Sequence, residues 1–445
     1  MGGSRALLVR NGTLVPLTGR RFWRAGDVLV EDGRIAAVGA GSSPPRDCRE
    51  LDATGCLVLP GFVQAHVHVV QSLARQRAEG LPLLRWLRER IWPYEAALTA
   101  DDVTAAAELG VAELLASGTT AALDMGGAHH HDRVFAAAAD LGIRLVSGKT
   151  LMDTGPGVPE AILEPAVAAL QESARLGKRW HGAEAGRLRY AVAPRFVLSC
   201  SEPLLIGAAR LARQNGWMLH THASESRDET ARVRDLTGQG NVEYLAGRTL
   251  CGTDTVLAHC IHLTDEEFAL LAAQGTGVAH CPAANLKLGS GIADLPRMLR
   301  EGIRVGLGAD GPPCNNRLSI FREMFLAGTL HSLNSGPTAV DPWEVLELAT
   351  WRGAEVIGWG GELGRLAPGW RGDLVVLRSE TWGMAPLADP AAAVVFGGDD
   401  SVVRHVVVDG RVVVEDGTLR SGIGNAILSR AQAAAAALDQ RGVWP

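Results

Sequence analysis

The chain has 445 residues, 47% of them hydrophobic, and a formal net charge of −6. That length exceeds one ordinary compact domain and suits a barrel of about 250 residues or more with an added domain. An acidic pI of about 6.1 argues against nucleic acid or an anionic membrane as main partner, and no run approaches the ~20 apolar residues of a membrane span.

Residues 5–58 predict short strands at 6–9, 27–30 and 35–38, with Asn11-Gly12 and Asp32-Gly33 as hairpin-type turns. The leading Met1-Gly2-Gly3-Ser4-Arg5 lacks the apolar core of a secretory signal. From about 59 to 368 short apolar strands alternate with helical stretches, the pattern of repeated βα units. Strand ends fall at His66 and His68, at 121–125, 145–149, 190–195, 219–222, 256–259, 277–280 and 305–310. Eight such strands predict an α/β fold, a (β/α)8 TIM barrel over 59–368. Beyond 368 β-strands return at 373–377, 402–408 and 411–414, and Val408-Asp409-Gly410-Arg411 echoes Glu31-Asp32-Gly33-Arg34. Residues 1–58 and 369–445 are therefore expected to pair into a small β-sandwich, with a terminal helix over 425–438. Seven scattered cysteines without a CxxC motif fit reduced thiols in a cytoplasmic protein.

Active residues of such barrels stand at the C-terminal ends of strands. His66 and His68 sit at i and i+2 of a strand, so both rings face one side. Arg195, His222, His259, His280 and Asp310 follow the later strands. Imidazoles with a carboxylate suit a divalent cation that keeps a position open for water. Any one buried histidine is more often a core residue than a ligand; the recurrence at strand ends is the signal. Glu225, three residues beyond His222, can shuttle a proton between water and a substrate ring nitrogen, or simply favour a helix start. The residues alone leave His220 and His222 as alternative ligands.

The motifs PGFVQAHVH (60–68), HASE (222–225), LAHCIHL (257–263), HCPAANLKLGSG (280–291) and LGADGPPCNN (307–316) resemble the amidohydrolase superfamily, in its aminohydrolase branch. The resemblance implies one divalent metal, Zn²⁺ with Fe²⁺ as the alternative, held by His66, His68, His222 and Asp310. Ala193-Pro194-Arg195 offers no bridging lysine for a second ion. Glu225 would then shuttle protons, His259 would orient the attacking hydroxide or polarise the attacked carbon's substituent, and Asp310 would take the water's proton for departing ammonia.

The block LPLLRWLRERIWPYE (81–95) resembles deaminases of 5′-deoxyadenosine, methylthioadenosine and S-adenosylhomocysteine, implying that Trp86 stacks on the base and Glu95 accepts ribose hydroxyls. Gln71 and Arg195 resemble guanine deaminase residues that bind the base edge. His280 and Lys149 are expected as further substrate contacts. Lys149 stands where homocysteine-accepting relatives carry arginine, and a lysine does not reproduce a guanidinium fork, which favours a small 5′ substituent. A glycine usual in relatives after the first metal motif is replaced in Arg75-Gln76-Arg77. The reading is a mononuclear, metal-dependent purine nucleoside deaminase of the 5′-deoxyadenosine or adenosine type. Guanine or another purine base ranks second, an s-triazine third, and a catalytically inactive binding member of the fold is the rival from another class. A small heteroaromatic substrate and a homodimer or homotetramer are the expected partners.

Overall fold

The computed structural model describes residues 6–41 and 44–444; Met1–Arg5, read above for a leader, lie outside them. The barrel strands are β1 (Phe62–Val67), β2 (Thr119–Met125), β3 (Arg144–Gly148), β4 (Leu188–Pro194), β5 (Met218–Ala223), β6 (Thr255–His259), β7 (Gly277–His280) and β8 (Arg304–Leu307). They pair in sequence order, all parallel. A bridge between Val67 and Asp310 joins the last to the first. Buried on both faces, the strands read as nearly continuous apolar runs, as parallel sheets require.

Alternation along each strand separates two layers. Ala121, Leu123, Val146, Ala191, Val256, Ala258 and Ala279 pack with Ala354, Val356 and Trp359 of the segment that follows β8. Their neighbours Leu145, Tyr190, Val192, Leu257 and Val278 pack against helices such as Ala100–Ala116 and Glu202–Asn215. Several interior side chains are alanines, which leaves room for larger polar groups above them.

Both chain ends contribute to a second, nine-stranded mixed sheet. Leu374–Arg378 runs antiparallel to Cys56–Pro60 and ties the two ends together. Leu7, Val9, Val28, Val58, Leu374, Val376 and Val407 share one core, so the sheet folds over on itself. Asp32-Gly33 and Asp409-Gly410 turn as expected, with positive φ at all four residues. Asn11-Gly12 does not. It lies inside the strand Ala6–Leu14 as a bulge, with register shifts on both sides of Gly12. A Cβ at Gly12 would come within 2.4 Å of Val58, so that glycine serves close packing rather than a turn. The terminal helix spans Gly424–Gln440, and Ala431 and Leu438 pack on Tyr94 and Ala106. No helix among the described residues is long and apolar enough to cross a membrane, and all seven cysteines are free thiols.

Candidate active site

Backbone pairing at the barrel seam sets the first contacts. The Asp310 N–H donates to the His66 carbonyl at 3.0 Å, and the His68 N–H donates to the Asp310 carbonyl at 3.4 Å. The Asp310 carboxylate thereby lies 3.3 Å from His66 Nε2 and 3.4 Å from His68 Nε2. His222 arrives from the end of β5, with its Nε2 3.3 Å from His68 Nε2. His220 lies on the same side of β5, with its Nε2 2.8 Å from His66 Nδ1.

The outer nitrogens decide what these rings present. His68 Nδ1 is 2.7 Å from the Met125 carbonyl, and His222 Nδ1 is 2.7 Å from the Arg195 carbonyl. A carbonyl only accepts, so both Nδ1 atoms carry the proton and both Nε2 atoms carry bare lone pairs. Two lone pairs facing each other at 3.3 Å repel unless a cation lies between them. His66 Nε2 is buried and meets no hydrogen-bond partner among the described residues. Donor atoms of His66, His68 and Asp310 lie within 4.8 Å of one another, as do those of His66, His222 and His259. This donor set fits one divalent cation of the nitrogen- and oxygen-loving kind.

Burial keeps the imidazoles neutral, the form that ligates: it lowers His68 to about 3 and pushes His222 well below its usual value. For Asp310 burial acts the other way, but the surrounding imidazoles of His66, His259 and His68 outweigh it and hold the carboxyl well below its usual range. Glu225 is the opposite case. Burial, then the charges of Asp310 and Glu229, push its carboxyl well above the ordinary value. Two carboxyl groups in one site are thus driven apart, the condition for one to hold a proton and the other to accept one.

His259 Nε2 lies 3.5 Å from the Glu225 carboxylate and 3.8 Å from that of Asp310. Its Nδ1 is 2.8 Å from Asn285 Oδ1, on the helix Pro282–Lys287. Asn285 was missed in the sequence although it stands inside the quoted HCPAANLKLGSG run. Glu229 was missed too. Its carboxylate accepts from the backbone N–H of Glu225 at 2.6 Å and from Asn241 Nδ2 at 2.5 Å, which fixes the turn carrying Glu225. The signal for it was the Ser-x-x-Glu capping pattern at 226–229. Ser224, His259, Cys260 and Asp310 all adopt positive φ, a clustering of backbone strain that marks functional sites.

A pocket of about 410 Å³, part of it open to solvent, lies over these groups, with Trp86, Phe196, Gln71 and Arg195 among its walls. Trp86 ends the helix Leu83–Trp86, and a π-helical turn, Leu87–Ile91, follows it. Glu95 is buried behind the wall. Its carboxylate is gripped by both terminal nitrogens of Arg195, at 2.5 and 3.2 Å, and accepts from Gln71 Nε2 at 2.9 Å. The residues read as rival substrate contacts form one network.

Two expected contacts lie elsewhere. Lys149 is buried and paired with Glu164. His280 follows Ala279, which faces the interior cluster. Its ring therefore points to the other side of β7, where it lies 6.1 Å from the His331 ring; neither Lys149 nor His280 lines the pocket.

A barrel that gathers imidazoles and carboxylates of opposed character beneath an open pocket has the donor set of a metal-dependent hydrolase. The chain belongs to the amidohydrolase family, whose model matches residues 57–413. It is 38% identical to a 5′-deoxyadenosine deaminase of Methanothermobacter thermautotrophicus, over 93% of this chain and 95% of that protein. It is 36% identical to a 5-methylthioadenosine/S-adenosylhomocysteine deaminase of Symbiobacterium thermophilum, over 97% and 99%. Among solved structures, guanine deaminase of E. coli superposes with a TM-score of 0.85 at 30% identity, over 92% of this chain and 99% of that one. An adenosine deaminase of Xanthomonas campestris with bound zinc gives 0.90 at 26% identity, over 98% of both.

Proposed function

We propose that the chain deaminates adenine nucleosides, 5′-deoxyadenosine foremost, releasing ammonia. The observation that carries this reading is the set of bare Nε2 lone pairs of His66, His68 and His222 converging with the Asp310 carboxylate. Those four residues would hold one divalent cation. Zinc is favoured by the zinc in the Xanthomonas neighbour, with iron as the alternative. When bound, the cation supplies Lewis acidity that makes a water nucleophilic near neutral pH.

Glu225, whose carboxyl burial drives upward, takes a proton from the attacking water and delivers it to the ring nitrogen beside the amino-bearing carbon. His259, anchored through Asn285, orients the water. Asp310, held as a carboxylate, accepts the remaining proton for the departing ammonia. Trp86 and Phe196 enclose the base, and the Gln71–Glu95–Arg195 network bounds the far side. Lys149 is committed to Glu164 and the Arg195 guanidinium to Glu95, so neither of these two cations is free for a homocysteine carboxylate. That favours a small 5′ substituent. The reading includes a cytoplasmic enzyme working as a homo-oligomer.

Ammonia release by the zinc-loaded protein from 5′-deoxyadenosine, adenosine, S-adenosylhomocysteine, guanine and a chloro-s-triazine tests the substrate. The expected order places 5′-deoxyadenosine first. Preference for guanine would instead make Gln71 and Arg195 readers of a base edge and overturn the assignment.

A further inference from the structure

His220 has no part in the roles assigned above, yet it is fully buried. It precedes His222 by two residues on β5, so its ring lies on the same side of the strand. Its Nε2 meets His66 Nδ1 at 2.8 Å, with the rings edge to face and their centroids 4.9 Å apart. A neutral imidazole that ligates through Nε2 carries its proton on Nδ1. His66 must then donate to His220 Nε2, and the proton of His220 is forced onto its own Nδ1. That atom is buried and meets no partner among the described residues. An unpartnered buried N–H opposes folding, and a leucine would fill the place without that cost. What His220 supplies in return is the acceptor for His66.

The comparison with the other two rings sharpens the point. His68 and His222 are each oriented by a backbone carbonyl, of Met125 and Arg195. His66 is the one of the three whose outer nitrogen is held by a side chain. We propose that His220 is a positioning residue that fixes the tautomer and direction of His66 toward the cation. This rests on the metal reading given under the proposed function and is independent of which nucleoside is the substrate.

The test is zinc affinity, measured by competition with a chromophoric chelator on the native protein and on His220→Gln and His220→Leu, with circular dichroism of the zinc-free forms to report folding. Glutamine can place its amide oxygen near the position of the histidine Nε2 and keep the acceptor; leucine removes it. Outer partners of this kind typically contribute 10–100-fold in metal affinity. The expected result is a loss of that size in His220→Leu, with His220→Gln close to native and both folded. Native affinity in His220→Leu, or equal losses in both variants, would overturn the proposal. Should the leucine variant fail to fold, His220→Asn, whose shorter amide cannot reach His66, takes its place with the same expectation. A native protein that binds no zinc would sink the metal reading itself, whereas zinc binding without nucleoside turnover would sink only the substrate.

Discussion

Arg195 and Glu95 stand 100 residues apart and meet as a bidentate pair whose side chains are 4% and 2% exposed. Removing one partner of such a pair strands a buried charge, which typically costs ~3–5 kcal/mol. Arg195→Met should therefore destabilise the protein by about that amount in urea denaturation. The double variant Glu95→Gln/Arg195→Met should lose less than Arg195→Met alone; a double loss as large as the sum of the two single losses would mean that the pair is not coupled. Both residues were legible through motifs as candidate substrate contacts, and Arg195 lines the pocket whereas Glu95 does not. Their pairing was not legible, because a contact between the helix Trp92–Ala97 and the end of β4 leaves no periodic trace in the sequence. The same holds for Lys149 with Glu164 and for His259 with Asn285. Gln76 is the converse case. The sequence marks a missing glycine there, and the structure gives Gln76 a φ of 67°, with its N–H donating to Asn316 Oδ1 at 3.1 Å.

The elements of the barrel were the most legible part, since eight apolar runs separated by helical stretches admit few other arrangements. Facing was harder. His280 ends its strand as expected, but strand parity turns its ring away from the pocket. His259 stands on the corresponding outward parity of β6, after Ala258, and reaches the site because its backbone turns through a φ of 77°. The π-turn Leu87–Ile91 behind Trp86 also escaped notice, because one residue of slippage in a helical ladder does not disturb the apolar pattern; such turns often lie beside functional sites. The seam between β8 and β1 is the element on which the candidate metal site depends most. A Cβ at Gly308 would lie 2.6 Å from the His66 carbonyl oxygen and 2.7 Å from its nitrogen. Gly308→Ala must push the Asp310 turn away from β1. It should cost ~1–3 kcal/mol of stability and weaken zinc binding by about tenfold or more. Thermal denaturation and chelator competition read the two effects, and a variant unchanged in both would contradict this account of the seam.

At the scale of the whole molecule, the barrel and the sheet built from both chain ends are joined by buried charge. Arg144 at the start of β3 meets Asp373 at 2.9 Å and Asp409 at 3.1 Å, and lies over the Trp359 ring at 4.6 Å. The echo of Asp-Gly turns at the two ends made their pairing legible, since each closes a hairpin of the same sheet. The ion pairs beneath them carry no local signature. The sheet closes the fold at the N-terminal ends of the strands and leaves the C-terminal ends to the candidate active site. The central claim is that Glu225 moves the proton while the histidines and Asp310 hold the metal, and one measurement tests it most directly. Ammonia release from 5′-deoxyadenosine is compared between zinc-loaded native protein and zinc-loaded Glu225→Gln, with bound zinc measured in both. Equal zinc with a rate about 10²–10⁴ lower in the variant is the predicted result. Equal rates at equal zinc would contradict it.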